Sequence, residues 1–357
     1  MMKHKNLYIS RFPLRTGGHG GNRRVLQIHD ALVQDAWGVF DIAQMPTDGG
    51  PETPSPLFSN DSGLDTRYNY NAYLHGQFNR DFHLSRQIKD LDLNAVLLDD
   101  PVFFPHTLHE LSRLSIPFGI VLHNMESMAR IPKDTQQQFS IFHEEIAAIS
   151  QSKLCVTISR EETWLLENMG INCFYYPYYP TKSLEDWLSA VRSARNQSEK
   201  KYIVSLGTAF NPPTYEGMCE LATMWDSVNR GKEFLIIAGF GASLIKQIDA
   251  NFESIYIANN VSEDEMFTIL TECKACIIHQ HSGAGALTKI PELLLAGVPV
   301  IASHHAARSY YDQSSLFMYD TLEDLPTALA AATSAPPPRC SVMRRDEGLR
   351  ASIARAF

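Results

Sequence analysis

The sequence predicts an α/β protein built from two successive arrays of mainly parallel strands and covering helices. Three observations carry that reading. Short apolar runs alternate with amphipathic stripes along most of the chain, the pattern of strand–helix–strand units with helices on both faces of a sheet. The alternation is interrupted once, by Tyr175-Tyr176-Pro177-Tyr178-Tyr179-Pro180 and a polar link, and then begins again. At 357 residues the chain is also long enough for two separate cores.

The first array opens on the short strand Leu7-Tyr8-Ile9-Ser10. Residues 22–36 carry Val25, Leu26, Ile28, Leu32 and Val33 as a helical stripe, and residues 38–44 read as the next strand. Residues 46–72 are rich in Pro, Gly, Ser, Asp and Asn without a period, so they read as a long loop. A helix near 79–91 leads to the strand Ala95-Val96-Leu97-Leu98, which ends on Asp99-Asp100-Pro101. Then follow a helix near 104–114, a strand 117–122, a helix near 135–150, a strand 153–158 and a helix near 160–169.

The second array starts after the tyrosine cluster. Residues 183–200 read as a helix and a polar link, 202–206 as a strand, 213–229 as a helix, 233–238 as a strand and 242–252 as a helix. Further strands are expected at 254–257, 275–278, 298–302 and 316–319, with a helical stretch 322–333 ending at Pro336-Pro337-Pro338. Ser262 with Glu265 three residues on is a capped helix start. The boundary falls near 180–200, which gives domains over 1–180 and 181–335 and a tail over 336–357 carrying five arginines, Arg339, Arg344, Arg345, Arg350 and Arg355, that reads either as disordered or as a helix packing back on the first domain.

Composition excludes several classes. The 44% hydrophobic and 20% charged fractions are those of a globular protein. A net charge of −9 argues against a general nucleic-acid binder. No apolar run reaches about 18 residues, so no transmembrane helix is expected. MMKHKNLYIS lacks the apolar centre of a signal peptide, and the six cysteines have no disulfide-framework spacing. A cytoplasmic protein with reduced thiols is expected, with a peripheral contact at the inner membrane face left open.

The most informative segment is 279–303, HQHSGAGALTKIPELLLAGVPVIAS. It reads as the loop Ser282-Gly283-Ala284-Gly285-Ala286, a short helix with Lys289 and Glu292, a stop at Gly297 and the strand Val298–Ala302. Glycines before a helix expose backbone N–H groups and suit an anion such as a diphosphate. Lys289 adds a positive charge, and Glu292 offers two acceptor oxygens that match the paired hydroxyls of a ribose.

A glycine-x-glycine loop, a lysine, a glutamate three residues on and Ala-Gly-x-Pro-Val resembles the donor site of GT-B glycosyltransferases, most closely the retaining family four. Weaker segments fall in the same order: Gly17-Gly18-His19-Gly20-Gly21 with Arg23 and Arg24, Val121-Leu122-His123-Asn124-Met125-Glu126, Val156–Glu162, and Ser205-Leu206-Gly207 before Asn211-Pro212-Pro213. The similarity spans most of residues 6–330. It implies two Rossmann-like domains facing a central cleft, a C-terminal domain that holds a UDP- or GDP-type sugar, an acceptor domain that precedes it, and a tail helix packed back on the first domain. It further implies retention at the anomeric carbon, no metal, no cofactor beyond the nucleotide-sugar co-substrate, and a saccharide, lipid-linked or small-molecule acceptor.

The residues expected to bind donor are Gly18, Gly207, Gly239, Ser282, Gly283, Gly285, Lys289 and Glu292; those expected to act in catalysis are His123, Asp99 and Lys289. Most of them end strands, where open α/β sheets bind ligands. Many family members carry a second glutamate, with seven residues between it and the ribose-binding one; Ala284 stands there in this chain. The family's histidine at the end of the earlier strand is replaced by Asp99, expected to orient a sugar hydroxyl or take a proton from the acceptor. Adjacent strand residues alternate faces, so Asp99 and Asp100 are expected on opposite sides. Arg23 and Arg24 are candidates for phosphate charge, His304-His305 for a reach to the nucleotide, and Tyr175–Tyr179 for sugar stacking or interdomain packing. Cys273-x-x-Cys276 with His279 and His281 has the composition of a metal site, but Cys276 lies inside a strand whereas zinc sites draw ligand pairs from turns, so no metal is expected. Two other classes stay open: a non-catalytic GT-B module that binds nucleotide-sugar or assists a partner, and a dinucleotide-dependent oxidoreductase. Against the latter, no clean Gly-x-Gly-x-x-Gly follows the first strand.

Overall fold

Strands that are apolar on both faces need cover on both sides, which a parallel sheet with crossover helices supplies. In the computed structural model, which describes residues 5–14, 20–48, 70–129, 135–229, 233–248 and 252–357, such strands form two six-stranded parallel sheets. The chain divides into two units, one of residues 1–178, 284–286 and 343–357, the other of residues 179–283 and 287–342.

The first unit contains β1 (Asn6–Ser10), α1 (Gly20–Leu32), β2 (Gly38–Asp41), α2 (Tyr70–Ile88), β3 (Ala95–Asp99), α3 (Pro105–Arg113), β4 (Phe118–Val121), α4 (Glu126–Ala129), α5 (Thr135–Ser150), β5 (Cys155–Thr157), α6 (Arg160–Asn168) and β6 (Cys173–Tyr175). Its strand order is β2-β1-β3-β4-β5-β6. Alternation along β1 divides the core: Leu7 and Ile9 pack with Phe78, Leu84, Phe103 and Leu111, whereas Tyr8 packs with Val25, Ile28 and Tyr176. Asp81 of α2 supplies the cap that the start of α3 lacks, accepting from the N–H groups of His106 and Thr107 at 2.7 and 3.0 Å.

The second unit contains α7 (Lys182–Arg195), β7 (Tyr202–Leu206), α8 (Pro212–Asn229), β8 (Leu235–Gly239), β9 (Ile255–Asn259), α9 (Glu263–Glu272), β10 (Cys273–Ile278), α10 (Lys289–Leu295), β11 (Val300–Ser303), β12 (Leu316–Tyr319) and α11 (Leu325–Ser334). The order is β12-β11-β10-β7-β8-β9. Trp225, Met218 and Leu221 of α8 pack on one face of this sheet. Gly297, at φ 75°, ends α10, whose last carbonyls (Leu294 and Leu295) accept from Arg192 of α7. The capping box of Ser262 and Glu265 opens α9 as its sequence predicts. The tail forms α12 (Asp346–Ala356), whose Leu349 and Ile353 join the core of the first unit beside Val25 and Ile28.

Several elements differ from the sequence reading. Among the described residues of the expected helix 242–252, Ala242–Gln247 form a 3-10 turn rather than an α-helix, after Gly239 and Gly241 at positive φ; residues 249–251 lie outside the described residues. The helical stretch 322–333 divides into a 3-10 turn, Leu322–Asp324, and α11, because Pro326 lacks an N–H and fits only a first helical turn. The tyrosine cluster hides the edge strand β6, which is too short to show a period. α2 begins at Tyr70, earlier than expected, and most of the expected loop, residues 49–69, lies outside the described residues.

Candidate functional site

In a doubly wound sheet, successive strands run outward in opposite directions from one point, and the crevice there is open at the strands' C-terminal ends. In the second unit that point lies between β7 and β10. Lys289 reaches it from the start of α10, its Nζ donating to the Leu206 carbonyl at 2.8 Å. A small cavity there is lined by Ser205, Leu206, Thr214, His279, Gln280 and Lys289. Lys289 forms no ion pair among the described residues, and burial pushes its pKa down to about 8, against the pull of Cys276 and Glu292. Gly207 is what lets the lysine in, since a Cβ there would lie 3.0 Å from the Lys289 Nζ and 2.3 Å from the Thr214 methyl. Gly239 on β8 has φ 147°, and a Cβ would stand 1.7 Å from the Gly207 carbonyl oxygen. Both glycines therefore shape the backbone around Lys289.

The helix after the glycine loop is short and carries Lys289 and Glu292, as the sequence reads. It starts at Lys289, has 7 residues and lacks a side-chain cap from Thr288. Lysine at its first position also opposes the helix dipole. Positive charge here comes from side chains rather than from the helix end. Arg308 is the second cation, with Nη2 3.3 Å from where a Cβ of Gly283 would lie and Nη1 donating to the His305 carbonyl at 2.7 Å. Ser282 and Gly283 are half-buried in this loop, and the His305 ring nitrogen lies 3.0 Å from the Gly283 carbonyl, so His305 braces the loop. His304 instead is exposed beside Asp320 at 3.4 Å. Gly283 and Gly285 both have positive φ, at 104° and 70°. Glu292 lies in the first turn of α10.

The first unit has its own switch point, between β1 and β3. Here Tyr8, Ser10, Asp99 and Asp100 are fully buried, with Arg11 and His123 half-buried beside them. The Asp99 carboxylate accepts from the Tyr8 hydroxyl at 2.6 Å, the Ser10 hydroxyl at 3.1 Å and the Arg11 N–H at 3.0 Å, and its Oδ1 lies 3.3 Å from His123 Nε2. Burial pushes its pKa up, but the His123 charge and these hydrogen bonds outweigh burial and leave it below the usual value. A buried carboxylate that accepts three hydrogen bonds and has a lowered pKa is a poor base. Asp99 is fully buried and its Oδ1 lies beside His123, whose side chain is 7% exposed.

Asp100 also belongs to the cluster. Its φ of 32° breaks strand alternation, so its Oδ1 accepts from the His123 N–H at 2.8 Å and its Oδ2 lies 3.4 Å from Arg11 Nη1. The expectation of opposite faces fails because the chain has already turned at Asp100. Burial raises its pKa to about 6, against the pull of Arg11 and His123. Arg11 also pairs with Glu126 at 3.1 Å and stacks over Phe103 at 4.0 Å. The turn after His123 is held by carboxylates from two helices. Glu162 accepts from the Met125 N–H, and Glu145 from the N–H groups of Glu126 and Ser127. Gly285, in this unit, donates its N–H to Glu162 at 3.0 Å, and a Cβ there would lie 2.5 Å from the His123 carbonyl. Beside His123, the Asn124 Nδ2 is buried without a hydrogen-bond partner among the described residues.

Other candidates turn out to be structural. Arg24 is fully buried, donates to Gln27 at 2.7 Å and lies over Tyr176 at 4.7 Å, so it is not a phosphate ligand. Tyr176 and Tyr178 are buried, and the Tyr176 hydroxyl bonds Asp346 of α12 rather than offering a stacking face. Cys273 and Cys276 are buried in β10, and burial pushes both thiols up. Gly18 lies outside the described residues. Arg11, Glu145 and Arg308 left no pattern in the sequence that marks them as site residues.

By sequence, no family profile and no curated protein matches the chain. Solved structures match over its whole length. Sucrose-phosphate synthase from Thermosynechococcus elongatus superposes with a TM-score of 0.66 at 13% identity, covering 99% of this chain and 95% of that one. The UDP-forming α,α-trehalose-phosphate synthase from Burkholderia vietnamiensis gives 0.64 at 14% identity over 99% and 96%. The fold is GT-B. UDP-GlcNAc 2-epimerase from Methanocaldococcus jannaschii gives 0.57 at 12% identity over 99% and 100%, so the same GT-B frame also supports a reaction other than transfer. Among the described residues, no helix is long and apolar enough to cross a membrane.

Proposed function

We propose that this GT-B protein is a glycosyltransferase that moves a sugar from a nucleoside-diphosphate donor to an acceptor hydroxyl, with retention at the anomeric carbon. The observation that carries the proposal is the buried ammonium of Lys289 at the switch point of the second sheet, answered by a carbonyl and by no carboxylate within ion-pair distance among the described residues. A diphosphate would supply a counter-charge at hydrogen-bond distance, where Glu292 acts only from farther off. Lys289, with Arg308 near the Ser282–Gly283–Gly285 loop, would stabilise charge as it grows on the leaving diphosphate, and Glu292 would accept from the ribose hydroxyls. Cations of the chain then do the work that a divalent metal does elsewhere, so Mg²⁺ and Mn²⁺ are not needed at the phosphates.

In the first unit, His123 meets the sugar or acceptor, the Asn124 amide offers a donor to a hydroxyl, and Asp99 holds the imidazole in place. The acceptor is read as a saccharide, a lipid-linked sugar or a small alcohol. Screening UDP- and GDP-sugars for thermal stabilisation, then following nucleoside diphosphate release with and without sugar acceptors, tests the reading. Acceptor-dependent release with the product's anomeric configuration matching the donor's supports it. Release of an epimerised free sugar without any acceptor refutes transfer, and stabilisation by nicotinamide dinucleotides instead of nucleotide-sugars refutes the site.

A further inference from the structure

Just past the end of β10, His279 and His281 lie two residues apart, close enough along the chain for their side chains to meet. The two imidazoles therefore stand side by side, with ring centroids 4.5 Å apart and planes at 85°. Glu220 of α8, remote in sequence, points its carboxylate between them. A single oxygen, Oε2, lies 3.0 Å from His279 Nε2 and 2.6 Å from His281 Nε2. Of the described His, Cys, Asp and Glu side chains, only these three bring ligating atoms within 4.8 Å of one another.

We propose that Glu220, His279 and His281 form a binding site for one borderline divalent cation of the zinc class. Two imidazoles and one carboxylate are a nitrogen-rich set that suits Zn²⁺, whereas Mg²⁺ and Ca²⁺ prefer oxygen ligands throughout. The far side of His279 supports the assignment. Its Nδ1 lies 2.8 Å from the buried Tyr319 hydroxyl, with the two rings stacked, so the imidazole is fixed with Nε2 facing Glu220. Histidine ligands are oriented in this way by a hydrogen bond on the other ring nitrogen. The cluster is closed on one side and open on the other: the His279 side chain is 1% exposed, those of His281 and Glu220 59% and 42%. A solvent molecule can complete a tetrahedron from the open side. Ligand atoms about 2.0–2.1 Å from zinc stand roughly 3.3 Å apart, so the cluster must widen by under about 1 Å, and the exposed His281 is free to make that movement.

The cysteines that suggested a metal motif take no part, because Cys273 and Cys276 lie within the strand. His281 directly precedes Ser282, so an ion here would fasten the entry of the 282–288 loop to α8. That is a bracing role, and it stands whether or not the loop binds nucleotide.

Protein stripped with chelator and then titrated calorimetrically with Zn²⁺ tests the site. One Zn²⁺ per chain is expected, with no heat from Mg²⁺. His281→Ala and Glu220→Gln, both at half-exposed or exposed positions, should keep the fold by circular dichroism and weaken Zn²⁺ at least tenfold. Tyr319→Phe should weaken it about 10- to 100-fold, as loss of an outer partner does. Co²⁺ should give a tetrahedral visible spectrum without a thiolate charge-transfer band. Absence of Zn²⁺ binding at micromolar concentration, equal affinity in the two ligand variants, or a thiolate band each overturns the proposal.

Discussion

Replacing Lys289 by methionine should make the protein more stable while it loses its donor. The lysine's pKa falls from 10.5 to about 8 in the folded chain because its ammonium is buried. That depression corresponds to about 3 kcal/mol of native-state destabilisation at neutral pH. Methionine has a similar length and carries no charge, so it removes that cost; the lost bond to the Leu206 carbonyl takes back about 1 kcal/mol. The net gain of about 2 kcal/mol should raise Tm by roughly 4–8 °C for a unit of this size. The sign with pH is fixed by linkage. The folded-state pKa lies below the unfolded one, so the penalty is complete below about pH 8 and vanishes as pH rises toward about 10.5. The advantage of Lys289→Met should therefore shrink over that interval, leaving only the lost bond. Differential scanning calorimetry at neutral and alkaline pH reads this directly, and titration with UDP or GDP should show at least about tenfold weaker binding. A variant that melts lower than the parent at neutral pH, or one that keeps its nucleotide affinity, refutes the reasoning.

Glu292→Gln should weaken the donor by about 1.5–3 kcal/mol, the range for hydrogen bonds to charged groups, with the fold intact; unchanged affinity in calorimetry removes Glu292 from the ribose. Nucleotide affinity of the parent should be full below about pH 8 and fall by up to about tenfold per unit above it, because diphosphate binding raises the Lys289 pKa; a flat profile to about pH 10 contradicts a cationic lysine in the site. His123→Ala and Asp99→Asn should leave UDP or GDP binding unchanged yet lower transfer, and Asp99→Asn should in addition shift the pH profile of turnover through its contact with His123; loss of nucleotide binding in folded protein reverses the division of roles. Gly239→Ala should abolish soluble folded protein, since its Cβ would stand 1.7 Å from a carbonyl oxygen, whereas Gly170→Ala, with nothing within 4 Å of its Cβ, should cost only about 1–2 kcal/mol by denaturant titration.

The fold was legible because its signals are local. Buried strands such as Ala95–Asp99 and Leu235–Gly239 are continuous apolar runs, and helices such as α5 and α9 announce themselves by stripe or cap. Elements that tertiary contacts decide were less clear. β6 is an edge strand of 3 residues, and the turn after β8 is set by glycines that accommodate Gly207 rather than by helix propensity. The site divides the same way. Lys289 and Glu292 stand three apart in one segment, so the chain itself displays them. Arg11, Asp99 and His123 come from three strand ends, and no spacing announces that Asp99 already accepts from Tyr8, Ser10 and Arg11. Glu220 lies far along the chain from His281, which is why a cysteine motif drew attention where a carboxylate supplies the third ligand atom.

The central claim is that the nucleoside diphosphate binds at the switch point of the second sheet, with Lys289 as its buried counter-charge. A crystal structure with whichever of UDP or GDP raises Tm more tests it most directly. Diphosphate density is expected within hydrogen-bond distance of Lys289 Nζ, against the Ser282–Gly283 backbone, with the ribose on Glu292. A diphosphate held instead by Arg11 at the β1–β3 switch point, or a Lys289 still bonded to Leu206 with the nucleotide elsewhere, contradicts it.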